Sequence, residues 1–221
     1  MFAGDQIIEA DGGGMDSLFA STDYTLGAGV SVEVLGTINN FATTAINLTG
    51  NELANRVFGN MGSNVLDGGG GADILEGDDG NDTYYVDADD EVREGAGKGN
   101  DTVLARSSYT LANGAYVETL ALADPASTLG FALTGNNLDN TIVGGAGNDV
   151  LRGGSGHDTL RGNAGNDTLY GDGNDTLEGG AGDERYFVYA GDRIVEGAGA
   201  GIDSLFASTD YTLEAGVSVE V

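Results

Sequence analysis

Acidic residues recur at fixed intervals in two stretches of the chain, each time after closely spaced glycines. Between residues 144 and 187 the repeated nine-residue phrase is Gly-Gly-x-Gly-x-Asp-x-large apolar-x, with clean copies GGAGNDVLR from Gly144 and GGSGHDTLR from Gly153. The copies that follow are GNAGNDTLY, GDGNDTLE and GGAGDERYF, and an earlier stretch holds GNMGSNVLD, GGGGADILE and GDDGNDTYY. Regularly spaced carboxylates can bind a cation, and glycines with positive φ angles can turn carbonyl oxygens toward the same point.

Carboxylates two phrases apart are expected to lie close together, because one turn reverses the chain and two phrases complete a coil. Asp149 with Asp167 and Asp158 with Asp175 are examples. Unit charges about 5 Å apart repel by roughly 3 kcal/mol at an effective dielectric constant of about 20, so a cation must lie between them. Flexible coordination by oxygen favours Ca²⁺ over Mg²⁺. Zinc is disfavoured, because the chain has no cysteine and one histidine.

The last three residues of each phrase predict a short β-strand that positions the acidic residue before it. Alternation directs Leu160 to one face of the strand and Thr159 with Arg161 to the other. Phrases two apart are expected to stack as parallel strands about 4.8 Å apart in an all-β structure. The stacking predicts two apolar walls, one with Leu151 and Leu169 and the other with Leu160 and Leu177.

The phrases resemble the RTX nonapeptide repeat of hemolysin-type calcium-binding proteins. The resemblance implies a right-handed parallel β-roll, or β-helix solenoid, in which each Ca²⁺ lies between turns two phrases apart. Each ion takes an acidic side chain from both turns, together with backbone carbonyl oxygens of the turn residues. The implied side-chain ligands are Asp73, Asp82, Asp149, Asp158, Asp167, Asp175 and Glu184. The implied carbonyl ligands are Gly68, Gly70, Gly144, Ala146, Gly153, Ser155, Gly162 and Ala164.

Some phrases depart from the RTX pattern. In the first array the pairs implied by the resemblance are Asn55 with Asp73 and Asn64 with Asp82, where an amide supplies an oxygen without charge. In the second array the phrase from Gly171 is one residue short, and Glu184 takes the place of aspartate opposite Asp167. Degraded copies of the phrase place acidic residues that are either further ligands or caps of local amides, namely Asp16, Asp101 and Asp203.

Longer spacers alternate with the two arrays. The predicted segments are a spacer at 1–49, the first array at 50–86, a spacer at 87–134, the second array at 135–187 and a spacer at 188–221. Residues 12–34 and 199–221 differ at three positions, and residues 97–118 hold a more diverged copy. The spacers are rich in β-forming residues and predict irregular coils of the same solenoid. Both ends fall inside a repeat unit, so we expect a fragment of a larger protein.

The composition excludes several classes of partner. The net charge is −28, from 36 acidic and 8 basic residues, which argues against direct binding to nucleic acid or anionic membranes. Cysteine is absent, so no disulfide framework exists, and no apolar stretch has membrane-spanning length. With one histidine and no cysteine, neither an HExxH zinc motif nor a thiol nucleophile is present. The repetition of the carboxylates indicates metal sites instead of one acid–base pair, so we expect no enzyme in this chain.

The expected function is calcium binding that folds the chain into a β-roll and supports secretion, folding and stability of a larger extracellular protein. The resemblance to RTX proteins implies secretion, typically by the type I pathway, or a cell-surface location. One alternative is an adhesin or matrix module that binds a glycan or a surface. Another is the tail of a secreted hydrolase or epimerase whose catalytic domain lies outside this chain. Exposed solenoid edges also predict end-to-end self-association.

Overall fold

The computed structural model describes residues 13–197, 201–214, 217 and 219. Within these residues the secondary structure consists of 21 short β-strands, without a helix. The chain divides into two compact units, one of Met1–Leu104 with Ala115–Val117 and one of Ala105–Gly114 with Glu118–Val221. Parts of the two terminal spacers, residues 1–12, 198–200, 215–216, 218 and 220–221, lie outside the described residues.

The first unit is built from parallel strands, each paired with the next strand but one along the chain. One wall has the order β1-β3-β5-β7-β9 and the other β2-β4-β6-β8-β10. The strands are β1 (Ser17–Ala20), β2 (Tyr24–Thr25), β3 (Val34–Thr37), β4 (Leu48–Thr49), β5 (Arg56–Phe58), β6 (Val65–Asp67), β7 (Ile74–Glu76), β8 (Thr83–Val86), β9 (Glu91–Val92) and β10 (Thr102–Ala105).

The second unit follows the same rule. Its walls have the orders β11-β13-β15-β17-β19-β21 and β12-β14-β16-β18-β20. The strands are β11 (Tyr109–Thr110), β12 (Thr119–Leu122), β13 (Ala132–Thr134), β14 (Thr141–Val143), β15 (Val150–Arg152), β16 (Thr159–Ala164), β17 (Thr168–Tyr170), β18 (Thr176–Ala181), β19 (Arg185–Val188), β20 (Arg193–Val195) and β21 (Ser204–Ala207).

A column of buried apolar side chains runs along the inner side of each wall. Leu151 pairs with Leu169 and Leu160 with Leu177, as predicted, and all four are fully buried. In the first unit the corresponding residues are Leu35, Val57 and Leu75 on one wall and Leu48, Leu66 and Tyr84 on the other. Burying one leucine contributes about 1.5–3 kcal/mol relative to its exposure, so the thin core depends on every coil. The all-β parallel solenoid is therefore confirmed, and its right-handed sense stays a prediction.

Spacer strands pair in register with array strands within each unit. In the first unit β3 pairs with β5, and β9 pairs with β7. In the second unit β12 pairs with β14, and β21 pairs with β19. The apolar column therefore continues from array coils into spacer coils, and it places the spacer residues that follow each array directly beside the last array turn.

Candidate metal sites

Glycine is required in the array turns because the backbone bends sharply and neighbouring coils approach closely. In the phrase from Gly153, Gly154 has φ 98° and Gly156 has φ 135°, in the region that other residues rarely adopt. A Cβ atom on Gly156 would lie 2.8 Å from the backbone of Leu138 in the coil before. The turns therefore stack with backbone against backbone, and this brings the acidic residues of successive coils together.

The sixth residues of the phrases form ladders along the solenoid. In each step the backbone N–H of one sixth residue donates to the carboxylate of the sixth residue one coil later. The N–H groups of Asp149, Asp158 and Asn140 donate at 2.7 Å to Asp167, Asp175 and Asp158 respectively. In the first unit Asn55 donates to Asp73 at 2.6 Å and Asn64 to Asp82 at 2.7 Å. The structure thus brings together four of the five sequence-predicted pairs through a direct bond.

The fifth pair, Asp167 with Glu184, lies on adjacent coils without this bond. The N–H of Arg185 donates to the backbone carbonyl of Asp167 at 2.8 Å, so the coils remain in register. Both carboxylate oxygens of Glu184 are buried and have no hydrogen-bond partner. Glutamate is one methylene longer than aspartate and does not continue the ladder toward Asp167 here. The phrase from Gly171, by contrast, continues the ladder although it is one residue short, since Asp175 still accepts the N–H of Asp158.

Several sixth-position carboxylates keep one buried oxygen without a hydrogen-bond partner. These residues are at most 2% exposed, and the oxygens are Oδ2 of Asp73, Asp82, Asp158 and Asp167. Burial of an ionised carboxylate without compensation costs several kcal/mol. These oxygens are therefore expected to bind a cation or a proton.

The backbone of the second residue differs between phrases in which this oxygen is free and phrases in which it is bonded. In five phrases the second residue has a positive φ and a buried oxygen of the sixth side chain has no partner, and we call such a phrase an open turn; the second residues are Gly69, Asp78, Gly154, Asn163 and Gly180. In the phrase from Gly171, Asp172 also has a positive φ, but Oδ2 of Asp175 accepts the N–H of Gly173 at 3.1 Å. In four other phrases the second residue donates its N–H to the sixth side chain, and we call the phrase a closed turn. Closed turns join Asn51 to Asn55, Asn60 to Asn64, Asn136 to Asn140 and Gly145 to Asp149. The open turns leave a carboxylate oxygen available to a ligand.

Oxygen atoms converge at the first glycine of each phrase. A Cβ atom on Gly144 would lie 2.6 Å from Oδ2 of Asp149 and 2.9 Å from the carbonyl oxygen of Gly162. At Gly153 it would lie 2.5 Å from Oδ2 of Asp158. The cradle that a side chain would fill is thus lined by a carboxylate and by a carbonyl from the next coil. This donor set fits Ca²⁺, which takes carboxylate and carbonyl oxygens in flexible geometry.

The structure places the predicted carbonyl residues in two settings. The carbonyl oxygens of Gly68, Gly153 and Gly162 face the cradle of the preceding coil. Each would lie within 2.9 Å of a Cβ atom placed on the first glycine of that coil. The Gly144 carbonyl accepts the side-chain amide of Asn163 at 2.9 Å. Third-position residues donate their N–H groups to the coil before, at 2.8–3.2 Å, and these are Gly70, Ala146, Ser155 and Ala164.

Burial raises the pKa values of the ladder carboxylates. The pKa of Asp158 and Asp167 rises to about 6, and that of Asp73, Asp82 and Asp175 to about 7, chiefly because burial disfavours the charged form. The backbone N–H donors of the ladder oppose this shift only in part. Without a cation these carboxylates are harder to ionise than a solvent-exposed aspartate, and a cation that binds there favours their ionised form.

Two ladder residues in the spacers were missed from the sequence. Asp90 accepts the N–H of Asp73 at 2.9 Å, and Asp192 accepts the N–H of Asp175 at 3.0 Å. They occupy the same place in GDDGNDTYYVDADDEVREG and GGAGDERYFVYAGDRIVEG, and alignment of these two stretches is the signal that could have found them. Asp101 and Asp203, left open as ligands or caps, accept the N–H groups of Asp82 and Glu184 at 2.7 and 2.9 Å and so extend the ladders.

The ladders coincide with a known repeat. The family model of the RTX calcium-binding nonapeptide repeat, which describes four copies, matches residues 49–90, 134–169 and 171–195. These ranges include both arrays and reach Asp90 and Asp192. A search of curated proteins gave no match. No helix among the described residues is long and apolar enough to cross a membrane. The matches, the buried carboxylates and the glycine cradles agree, and the chain carries RTX calcium-binding nonapeptide repeats.

Proposed function

We propose that this chain is a non-catalytic module that folds into its β-roll when the arrays bind Ca²⁺ outside the cell. In this role it supports the secretion, by a type I pathway, and the folding and stability of a larger extracellular protein. The observation that carries the proposal is the series of buried carboxylate oxygens without hydrogen-bond partners in the open turns. RTX repeat proteins are typically extracellular, where Ca²⁺ is abundant.

In the folded turns the chain's own residues orient the atoms of each site. The N–H of Asn140 orients the Asp158 carboxylate, and the positive φ of Gly154 leaves Oδ2 of Asp158 free. The absence of a side chain at Gly153 keeps the cradle open. A bound Ca²⁺ would neutralise the carboxylates and satisfy oxygens that no protein donor reaches.

Linkage between ion binding and folding gives the proposal its energetic basis. An ion that binds only the folded chain adds about 2.7 kcal/mol at a concentration one hundred times its dissociation constant. Several such sites are comparable to the whole stability of a domain. Without the ions, a chain of net charge −28 with buried carboxylates repels itself and is expected to stay expanded.

Titration with Ca²⁺ tests the proposal. Circular dichroism and hydrodynamic radius are measured from a chelator to millimolar Ca²⁺, with Mg²⁺ at equal concentration as the control. We expect a gain of β-structure and a compact radius with Ca²⁺ and a much weaker effect with Mg²⁺. An unchanged spectrum and radius across the Ca²⁺ range would contradict it.

Glycan binding by ring stacking has less support. On the outer face of the second unit Tyr170 stacks on Phe187 at 4.5 Å and Phe187 on Phe206 at 4.9 Å. The Arg152 guanidinium covers the Tyr170 ring at 3.9 Å. Because both faces of Tyr170 and Phe187 are occupied, these rings stabilise the wall and do not offer a sugar platform.

A further inference from the structure

A second kind of acidic cluster lies at the end of each array. In the first unit it consists of Asp82, Glu94 and Asp101, whose carboxylates each offer an oxygen within 4.8 Å of the others. In the second unit it consists of Glu184, Glu196 and Asp203 in the same arrangement. All six residues are buried. We call these the array-end clusters, and each joins one array residue to two spacer residues.

The fold builds the first array-end cluster from three consecutive parts of the chain. Asp82 precedes β8, Glu94 follows β9, and Asp101 precedes β10. The N–H of Asp82 donates to Asp101 at 2.7 Å, and the N–H of Gly95 donates to Oε1 of Glu94 at 2.8 Å. The fully buried Tyr84 donates its hydroxyl to Oε2 of Glu94 in a short hydrogen bond. Glu94 is thus held in one orientation by two donors.

The second array-end cluster repeats this arrangement. The N–H of Glu184 donates to Asp203 at 2.9 Å, and the N–H of Gly197 donates to Oε1 of Glu196 at 3.0 Å. Tyr186 donates its hydroxyl to Oε2 of Glu196, as Tyr84 does to Glu94. Three carboxylates and one tyrosine recur at aligned positions of both units although many residues around them differ, which indicates a specific site and not a chance cluster of acidic residues.

Unpartnered oxygens point into both clusters. Oδ2 of Asp82 has no hydrogen-bond partner, and Asp82 is 1% exposed. Both carboxylate oxygens of Glu184 have none, and Glu184 is also 1% exposed. A Cβ atom on Gly179 would overlap the Tyr186 hydroxyl and lie 2.7 Å from Oε2 of Glu196. The first glycine of the phrase thus adjoins the tyrosine hydroxyl in both clusters, together with Oδ2 of Asp82 at Gly77 and Oε2 of Glu196 at Gly179.

The basic residue closest in sequence to the first cluster is engaged elsewhere. Lys98 lies between Glu94 and Asp101 in the chain, but its ammonium binds Asp78 at 2.7 Å and Asp79 at 2.6 Å. The aligned position in the second unit is Ala200, which has no charge. Lys98 therefore does not neutralise the first cluster, and the second cluster has no basic residue at the aligned position. Three buried carboxylates without such a counter-ion favour an external cation as the ligand.

We propose that each array-end cluster is a Ca²⁺ site with three carboxylates, in addition to the sites between nonapeptide turns. The inference rests on the proposed function, because it takes the arrays to be calcium-loaded. Three carboxylates give this site more negative charge than a turn pair such as Asn64 with Asp82, so it fills at lower free Ca²⁺. Tyr84 and Tyr186 are positioning residues that orient the glutamate without binding the ion themselves. Filling the site fixes the spacer coil to the last array turn.

Isosteric substitution of the two glutamates tests the site in the full chain. Glu94→Gln with Glu196→Gln keeps an acceptor for each tyrosine but removes one charge from each cluster. The matched control is Glu91→Gln with Glu178→Gln, which alters glutamates that pair with Arg93 and Arg161 on the surface. Calorimetric Ca²⁺ titration should show two fewer tight ions in the first variant and the wild-type number in the control.

Terbium luminescence gives a spectroscopic readout specific to these clusters. The chain has no tryptophan, so tyrosine excitation reports Tb³⁺ bound near a tyrosine ring. We expect the signal that saturates first to be lost in the Glu94→Gln, Glu196→Gln variant and kept in the control. Tyr84→Phe with Tyr186→Phe keeps all carboxylates and should weaken the two tight sites about tenfold, the usual effect of removing an orienting partner.

The outcomes separate this inference from the proposed function. A wild-type chain that binds no Ca²⁺ overturns both. A wild-type chain that binds Ca²⁺, with unchanged ion number and affinity in the Glu94→Gln, Glu196→Gln variant, overturns the array-end sites alone. If the double variant does not fold, Glu196→Gln alone decides, because the first unit remains as an internal reference and one tight ion should be lost. Retention of both tight ions in that variant refutes the inference.

Discussion

Replacing Asp158 with asparagine separates the cost of burying its charge from the gain of binding an ion. The amide has nearly the same shape, and its oxygen can still accept the N–H of Asn140, as Asp158 does at 2.7 Å. Asn140 itself shows that the sixth position of a turn accommodates an amide, since its Oδ1 accepts the N–H of Asn136 at 2.9 Å. The substitution therefore changes charge with little change in packing.

The two effects have opposite signs. Burial raises the pKa of Asp158 from 3.8 to about 6, and a shift of about 2 units corresponds to about 3 kcal/mol of destabilisation of the folded metal-free chain at pH 8. Asparagine removes this penalty, so the metal-free fold should gain up to about 3 kcal/mol. In Ca²⁺ the variant loses a charged ligand, and the loss of one ion costs about 2.7 kcal/mol at one hundred times its dissociation constant.

Two titrations followed by circular dichroism check the reversal. In chelator at pH 8, folding is induced with trimethylamine N-oxide, and the variant should need less of it than the wild type. In millimolar Ca²⁺, unfolding by urea should begin at a lower concentration in the variant. The control is Asp210→Asn, because Asp210 is exposed and lies outside the ladder, and its effect should stay within about 0.5 kcal/mol. Effects of the same sign in both titrations would refute the reasoning.

Three further predictions follow from the cradle, the core and the buried carboxylates. Gly153→Ala should weaken the ion site built on Asp158, because its Cβ would lie 2.5 Å from Oδ2, whereas Gly27→Ala, with one contact at 3.4 Å, should leave calorimetric Ca²⁺ binding unchanged. Leu160→Ala should cost about 2–5 kcal/mol in urea unfolding with Ca²⁺ present, since Leu160 is fully buried; a loss below about 1 kcal/mol would contradict the thin core. In chelator, the trimethylamine N-oxide concentration that folds the chain should rise as pH rises from about 4 through 7, because the unfolded chain releases its protons first while Asp73, Asp82 and Asp175 have pKa values raised to about 7; a fall with pH would contradict it.

The period of the sequence predicts the core and the ladder well. The spacing of 18 residues between Leu151 and Leu169 sets the strand register, and Asp175 still lies beside Asp158 although the short phrase from Gly171 reduces their spacing to 17 residues. A strict repeat makes both predictions possible, since equal spacing in the chain becomes equal position in successive coils.

Two features could not be predicted in the same way. Gly145 and Gly154 occupy the same place in nearly identical phrases, yet Gly145 closes its turn onto Asp149 and Gly154 leaves Asp158 open. Glycine adopts both backbone conformations at little cost, so the sequence does not distinguish them. Glu94 comes twelve residues after Asp82, outside the nonapeptide period, and only the paired coils show that the two side chains meet.

The amide-to-carboxylate ladder has a polarity along the chain. Each rung joins an amide of one coil to an acidic side chain that lies about 17–19 residues further along the chain. The carboxylate acceptor of each rung therefore comes from the C-terminal neighbour, whereas backbone N–H groups such as that of Thr176 donate in the opposite direction, here to the carbonyl of Asp158. Trimming coils from the N-terminal side of a unit leaves every remaining rung intact, whereas trimming from the C-terminal side strips acceptors from the coil left behind. Each coil therefore relies on its C-terminal neighbour for the side-chain part of its hydrogen bonding, and the C-terminal end of a unit is the more sensitive to truncation.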